Sequence, residues 1–325
     1  MNKQRVLGLG HECAGAFTPI RGFDLAIVPR RIVLDKAGVD TALAAGASGD
    51  FGRKVVGLIG TGTEEDPVRG VSFADGGQAR APWVFGADGR GSTVARALGL
   101  EKQRPMRGEM SFAYAYWRGI PNDGYGGFQI ELGRVLTTAP VEDGLHMFIA
   151  AGPPEMVHGS KADRRRAYLE FVRGFPESVS ADVLDKAELV TDVVTAPETL
   201  MRGFFRRAAG PGWALVGDAG HFKHPGTAQG IGDAVEQAIH VADALSRSNG
   251  TLDGYEAWRD ARAAEHYEWS FAWGSFPRPE NEAMFRGLAS DPQAGQDLRD
   301  SFSRLVEPSQ VLTSARLERW FGAPS

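Results

Sequence analysis

The stretch from Trp213 to Ala238 limits the fold more than any other part of this 325-residue chain. It opens with a short apolar run, Trp213 to Val216, that reads as a buried strand. Gly217-Asp218 turns the chain, and a loop ends at Pro225-Gly226. From about Thr227, Ile231, Ala234, Val235, Ala238, Ile239, Ala242 and Leu245 recur at helical spacing. Asp218 is therefore expected at the carboxyl end of a strand, with a helix N-terminus a few residues on. Open α/β sheets bind ligands at that edge. The unpaired N–H groups of a helix start favour an anion or a polarised carbonyl. Gly226, Gly230 and Gly232 would let a flat ligand approach closely. Strand, acidic turn and helix also occur in many α/β proteins, so this motif alone leaves a structural turn and a ligand site both open.

A second stretch repeats the arrangement. Ala81 to Gly86 reads as a strand ending at Ala87-Asp88-Gly89-Arg90, and a short helix follows, capped by Ser92 and stopped at Gly99. Between the two stretches, residues 106–160 alternate as strands do. Phe112, Tyr114 and Tyr116 share one face, Leu145, Met147 and Ile149 another, with turns at Asn122-Asp-Gly124 and Glu142-Asp-Gly144. An antiparallel sheet inserted between the acidic turns is the expectation; its aromatic stripe suits sheet packing as well as a pocket wall.

Around these lie a strand at Asp24–Val28, a helix from about Ile32 to Ala45, and strands at Val55–Ile59 and Val68–Phe73 with a hairpin turn at Asp75-Gly76. Further on, a helix presents Tyr168, Phe171, Val172 and Phe175 on one face until Pro176. A short helix near Ala181–Ala187 and a strand at Leu189–Val194 come next, and the tail after Leu245 is largely helical. Residues 1–28 otherwise read as irregular. Val6 to Gly15 looks superficially like a dinucleotide fingerprint, but only a few residues precede Gly8 and Pro19 interrupts any following helix.

The net charge of -5 and the lack of a basic stripe argue against nucleic-acid binding; Arg165-Arg166 and Arg206-Arg207 read as solvated clusters. A single cysteine, Cys13, rules out an intrachain disulfide and a cysteine-based zinc site. No apolar run approaches bilayer-spanning length and the first residues lack a signal-type core, so no membrane partner and a cytoplasmic location are the default.

Jointly, Gly86-Ala-Asp-Gly-Arg-Gly-Ser-Thr-Val-Ala-Arg96 and Gly217-Asp-Ala-Gly-His, with Pro225, Gly230, Asp233 and Ala234, resemble two signature motifs of the FAD-dependent aromatic hydroxylases. These are the class A flavin monooxygenases, para-hydroxybenzoate hydroxylase-like. Pro29 to Asp35 and Leu136 to Leu145 resemble further segments of that family, and the likeness covers about residues 24–275.

The resemblance implies an α/β (α+β) fold: an FAD-binding Rossmann-like domain from residues 1–105 and 205–260, an inserted antiparallel-sheet substrate domain at 106–204, and a helical C-terminal tail at 261–325. It implies that Asp218, with Gly217, holds the ribityl chain of FAD. Pro225 and Gly226 would pass beside the isoalloxazine, and the helix start at Gly230 would face the ring's anionic edge. Asp88 and Gly89 would support the pyrophosphate region and NAD(P)H, and Arg31 would contact FAD. NAD(P)H and O2 would then serve to hydroxylate an aromatic or polycyclic small molecule, with the cofactor supplying the chemistry. No catalytic residue is assigned; His221 and His224 are acid/base candidates that fit a positional or exposed role equally well.

The family also opens with a βαβ unit carrying Gly-x-Gly-x-x-Gly, which this sequence lacks. The fold is therefore expected to be incomplete at its N-terminus, with weak or absent FAD binding by the chain alone. Two alternatives remain: a non-catalytic remnant or small-molecule-binding module that has lost FAD, and a related flavin reductase or halogenase. The lysine-centred site and tryptophan-rich signature usual in halogenases are not found.

Overall fold

In a computed structural model, which describes residues 1–247 and 250–322, the alternating region does form the centre of a large sheet. In chain order the elements begin with β1 (Lys3–Gly8), β2 (His11–Ala16), α1 (Arg31–Ala44), β3 (Val55–Ile59), β4 (Gly70–Phe73) and β5 (Gln78–Arg80). Next come β6 (Val84–Gly86), α2 (Thr93–Ala97), β7 (Gln103–Arg107), β8 (Ser111–Arg118), β9 (Tyr125–Glu131), β10 (Arg134–Pro140) and β11 (Leu145–Gly152). Then follow α3 (Lys161–Arg173), α4 (Ala181–Lys186), β12 (Glu188–Leu189), β13 (Val194–Ala196), β14 (Arg202–Phe205), β15 (Ala209–Gly210), β16 (Trp213–Leu215) and β17 (His221–Phe222). The helices α5 (Gly230–Arg247), α6 (Tyr255–Trp273), α7 (Glu282–Ser290), α8 (Pro292–Phe302), α9 (Pro308–Val311) and α10 (Ser314–Phe321) complete the chain. No helix among the described residues is long and apolar enough to cross a membrane.

The chain divides into two units, each assembled from separated segments. The first takes residues 1–46, 109–200 and 275–325. Its 8-stranded sheet runs β12-β8-β11-β10-β9-β1-β2, with β13 also on β8. One face buries Ala113, Ala115, Trp117, Leu136, Phe148 and Ala150 under Tyr168 and Val172 of α3. Inside that core the Trp117 indole donates to the Tyr168 hydroxyl at 3.0 Å, which itself donates to the Phe148 carbonyl at 3.0 Å. Burial removes these groups from water, and the chain of bonds satisfies them. Phe175 is fully buried just beyond the end of α3.

Residues 1–28 are not irregular as expected. β1 and β2 pair as an antiparallel hairpin around Leu9-Gly10, and β1 runs parallel to β9. Both turn residues sit at positive φ, Leu9 at 47° and Gly10 at 85°. The Gly8–Gly10 segment is thus a hairpin turn rather than a dinucleotide loop. Residues 1–46 accordingly belong with the large sheet, although the resemblance had grouped them with the cofactor region. The strand expected at Asp24–Val28 does not form. α1 forms nearly where expected, yet buries none of its residues.

The second unit takes residues 47–108 and 201–274 and holds three small sheets: β17-β14-β7, β15-β16-β6 and β3-β4-β5. Val68, Val84, Val94, Trp213 and Leu215 form one core cluster. α6, which the expected tail boundary at residue 261 cuts, lies wholly here and packs through Tyr255, Ala263, Tyr267 and Phe271.

Candidate functional site

Parallel pairing of β6 with β16 sets Gly86 opposite Leu215. The turns that follow, at Asp88 and at Asp218, therefore leave neighbouring strands at the same sheet edge. That edge is where ligands of open α/β sheets sit. Gly89 (φ 73°) and Gly217 (φ 58°) take the left-handed conformation these turns need. A Cβ on Gly217 would lie 3.0 Å from Ala234 of α5, so the turn also needs glycine to bring helix and strand together.

Asp88 is exposed and has a local partner. Its Oδ2 accepts from the Thr93 N–H at 2.6 Å, while Ser92 Oγ accepts from the Ala95 N–H at 3.0 Å. The two side chains together cap the first turn of α2. Asp218 is half-buried in the one-turn 3-10 helix Gly217–Ala219.

The helix expected from about Thr227 begins later. Pro225–Thr227 forms its own 3-10 turn, Ala228 adopts φ 54°, and α5 starts at Gly230. A Cβ on Gly230 would meet only Asp218 Oδ1, at 3.9 Å, and one on Gly232 would meet nothing within 4 Å. The start of α5 thus offers a surface free of side-chain obstruction beside the Asp218 carboxylate.

Behind that surface lies a buried polar network. Gln237 accepts from the Gly217 N–H at 2.8 Å and lies 3.3 Å from His221 Nδ1. Asp233, 3% exposed, faces Lys223 Nζ at 2.7 Å and His221 Nε2 at 3.5 Å. Burial holds the His221 pKa below its usual value although Asp233 pulls it upward. The side of α5 turned inward is therefore Asp233, Gln237 and Val241, whereas Ile231, Val235 and Ile239 are exposed.

His221 and His224 are both buried, which settles against the exposed reading of that pair. His224 is fully enclosed, and burial pushes its pKa down to about 4, so it is neutral at ordinary pH. Its Nδ1 accepts from the Gly226 N–H at 3.1 Å, which leaves the ring proton on Nε2. Space for this imidazole depends on glycine. A Cβ on Gly274 would overlap the ring, and one on Gly108 would lie 2.6 Å from Cδ2. Nothing in the local sequence signals this arrangement, because Gly108, His224 and Gly274 are distant in the chain.

Arg206 departs furthest from its sequence reading. It is buried, and its Nη1 donates to the Ala219 carbonyl at 2.7 Å and its Nη2 to the Arg90 carbonyl at 3.2 Å. One guanidinium thereby ties the Asp218 turn to the Asp88 turn. Arg31, by contrast, lies in the first unit on α1, exposed and forked onto Asp35 at 2.8 and 3.0 Å. Asp88, Gly89, Gly217, Asp218, Pro225, Gly226 and Gly230 all lie in the second unit. Among the described residues no cluster of His, Cys, Asp and Glu is placed to hold a metal ion.

No family model matches the sequence. A 6-methylpretetramide 4-monooxygenase of Streptomyces rimosus is 29% identical over 255 residues, spanning 72% of this chain and 53% of that protein. An FAD-dependent urate hydroxylase of Klebsiella oxytoca is 30% identical over 235 residues, spanning 66% of this chain and 56% of that protein. Among solved structures, a flavoprotein/dehydrogenase from Cytophaga hutchinsonii aligns with 95% of this chain and 77% of its own, at TM-score 0.75 and 15% identity. The fold is that of the flavin-dependent monooxygenases and halogenases. The chain spans about half the length of the curated relatives it matches.

Proposed function

We propose that this chain is an FAD-dependent oxidoreductase of the monooxygenase type that hydroxylates an aromatic or polycyclic small molecule with NAD(P)H and O2. The observation that carries this reading is the Asp218 carboxylate set beside the unobstructed start of α5. A carboxylate there fits the hydroxyls of a ribityl chain, and the N–H groups of the first helical turn fit the anionic edge of a reduced flavin. The fit is at the ribityl and ring end of the cofactor, and the Val6–Gly15 segment does not provide a dinucleotide loop for the other end.

Bound FAD would accept hydride from NAD(P)H and activate O2; the rest falls to the chain's own residues. Asp218 would orient the ribityl hydroxyls. Gln237, by accepting from the Gly217 N–H, would hold the turn that carries Asp218. Arg206 would keep the Asp88 and Asp218 turns in fixed relation. His224, neutral and enclosed, would shape the Pro225–Thr227 turn and not transfer protons.

The chain is to be incubated with FAD, desalted and scanned in the visible range. Weak binding is the expected result, because the Val6–Gly15 segment gives the other end of the cofactor no dinucleotide loop: flavin seen by titration at equilibrium but largely lost on desalting, with at least tenfold weaker affinity in Asp218→Ala. Folded protein that binds no flavin even at equilibrium with excess FAD, or that binds it equally in Asp218→Ala, would overturn the reading and favour a remnant that has lost FAD, which the hairpin at Gly8–Gly10 also favours.

A further inference from the structure

Four strands of the large sheet set one row of residues on the face that α3 covers. Arg5 of β1 pairs with Gly127 of β9, Gly127 with Thr138 of β10, and Thr138 with Phe148 of β11. Paired residues share a face, and Phe148 packs on this one with Tyr168 of α3. Arg5 and Phe148 stand three strand spacings apart, about 14 Å at the backbone. The two residues between them are small. Gly127 has no room for a side chain, because a Cβ would overlap the Arg5 carbonyl oxygen. The row therefore holds a trough, and a cleft of about 70 Å³ lies there.

His146, two residues before Phe148, lines the same cleft. It is 6% exposed, and its ring makes no hydrogen bond among the described residues. Burial holds its pKa below the usual value, with Asp123 pulling the other way. A neutral imidazole keeps one donor and one acceptor, and polar groups buried this far are ordinarily paired. Across the trough, Arg5 pairs with no carboxylate among the described residues; its guanidinium lies 5.8 Å from the Tyr125 ring centroid. The two carboxylates that line the cleft are engaged elsewhere. Asp123 accepts from the Tyr125 N–H at 3.0 Å, and Glu177 accepts from Gln129 Nε2 at 3.0 Å.

A guanidinium without an acid partner fits a carboxylate through its planar fork. Asp123 and Glu177 repel ligands of higher negative charge, which disfavours phosphate. Leu7, Tyr125 and Phe148 give the walls an apolar character that suits a hydrocarbon body. We propose that this cleft binds a small apolar monocarboxylate, with its carboxylate on Arg5, its body over Gly127 and Thr138, and His146 hydrogen-bonded to it from the Phe148 side. Every lining residue belongs to the first unit, so the site shares nothing with the Asp218 turn and does not depend on flavin.

The probe is cyclohexanecarboxylate, titrated into the flavin-free chain while the histidine ring resonances are followed by NMR. The chain has seven histidines, and His146→Gln assigns the signal of interest. A saturable shift of the His146 signal is expected, with affinity at least tenfold weaker for cyclohexanecarboxamide, which has the same body and no charge. Inorganic phosphate should leave the signal in place. Arg5→Gln should weaken carboxylate binding at least tenfold and leave carboxamide binding unchanged, with an equal urea midpoint showing that the fold persists. The comparison of carboxylate with carboxamide needs only the wild type, so it stands even where a variant does not fold. No saturable shift, carboxamide bound as tightly as carboxylate, or equal carboxylate affinity in folded Arg5→Gln overturns the proposal. Loss of flavin binding with this shift intact would sink the functional reading alone.

Discussion

His224 makes the protein acid-sensitive. Its side chain is wholly buried, and its pKa falls to about 4 from an unfolded value of about 6.5. The unfolded chain therefore binds the proton first as pH drops. The stability tied to the neutral ring is present in full above about pH 6.5 and is lost progressively as pH falls towards 4, up to about 3 kcal/mol. His221 is lowered in the same direction by burial and adds to the trend. Urea midpoints measured from pH 7.5 to pH 4.5 should fall, and His224→Gln should flatten that fall. An unchanged acid slope in the variant would show that another group sets it. The same residue shows a limit of reading from sequence. His224 stands out in the chain as a candidate acid or base, whereas its enclosure depends on Gly108 and Gly274, far away in the chain.

At the scale of elements, α5 is the clearest case of a helix legible in kind but not in orientation. Its apolar period is correct, yet Ile231 (49% exposed), Val235 (55%) and Ile239 (59%) face outward. The inward face is polar because its partners come from elsewhere: Lys223 and His221 for Asp233, and the Gly217 N–H for Gln237. No pattern within a helix reports partners supplied by another segment. β1 was missed for a related reason. Its buried positions are Gln4, Val6 and Gly8, so a single large apolar side chain marks a strand covered on that face. The acidic turns, the Ser92 cap and the 106–160 sheet were legible because each is a local pattern with a local cause. The exposed stripe predicts that I231Q/V235Q/I239Q leaves the unfolding free energy from urea titration within about 0.5 kcal/mol per site and reduces binding of a hydrophobic dye. A loss of several kcal/mol would show that the stripe is packed in solution.

For the molecule as a whole, the first unit is closed by its two chain ends. Phe285 of α7 occupies the space over Gly8, where any Cβ would overlap its ring. Arg299 of α8 donates to Cys13 Sγ at 3.3 Å, Thr18 donates to Asp300 at 2.8 Å, and Phe302 stacks on Phe128 at 5.3 Å. Removal of residues 279–325 should therefore uncover the β1–β2 hairpin and expose it to protease cleavage within residues 1–20, with the full chain resisting under the same conditions. Equal cleavage of both would show that the hairpin does not depend on the C-terminal helices.

The parallel pairing of β1 with β9 sets an order of events during synthesis. Residues 3–8 pair locally with residues 11–16, but their other edge is filled only by residues 125–130, and the helices that cover the hairpin arrive after residue 281. The β1–β2 hairpin is therefore made long before it is enclosed. Contacts of such wide separation slow folding and leave strand edges unpaired while they wait. A nascent chain would thus carry an open β1 edge until residues 125–130 are made, and chaperone dependence during expression would follow from that edge rather than from low final stability.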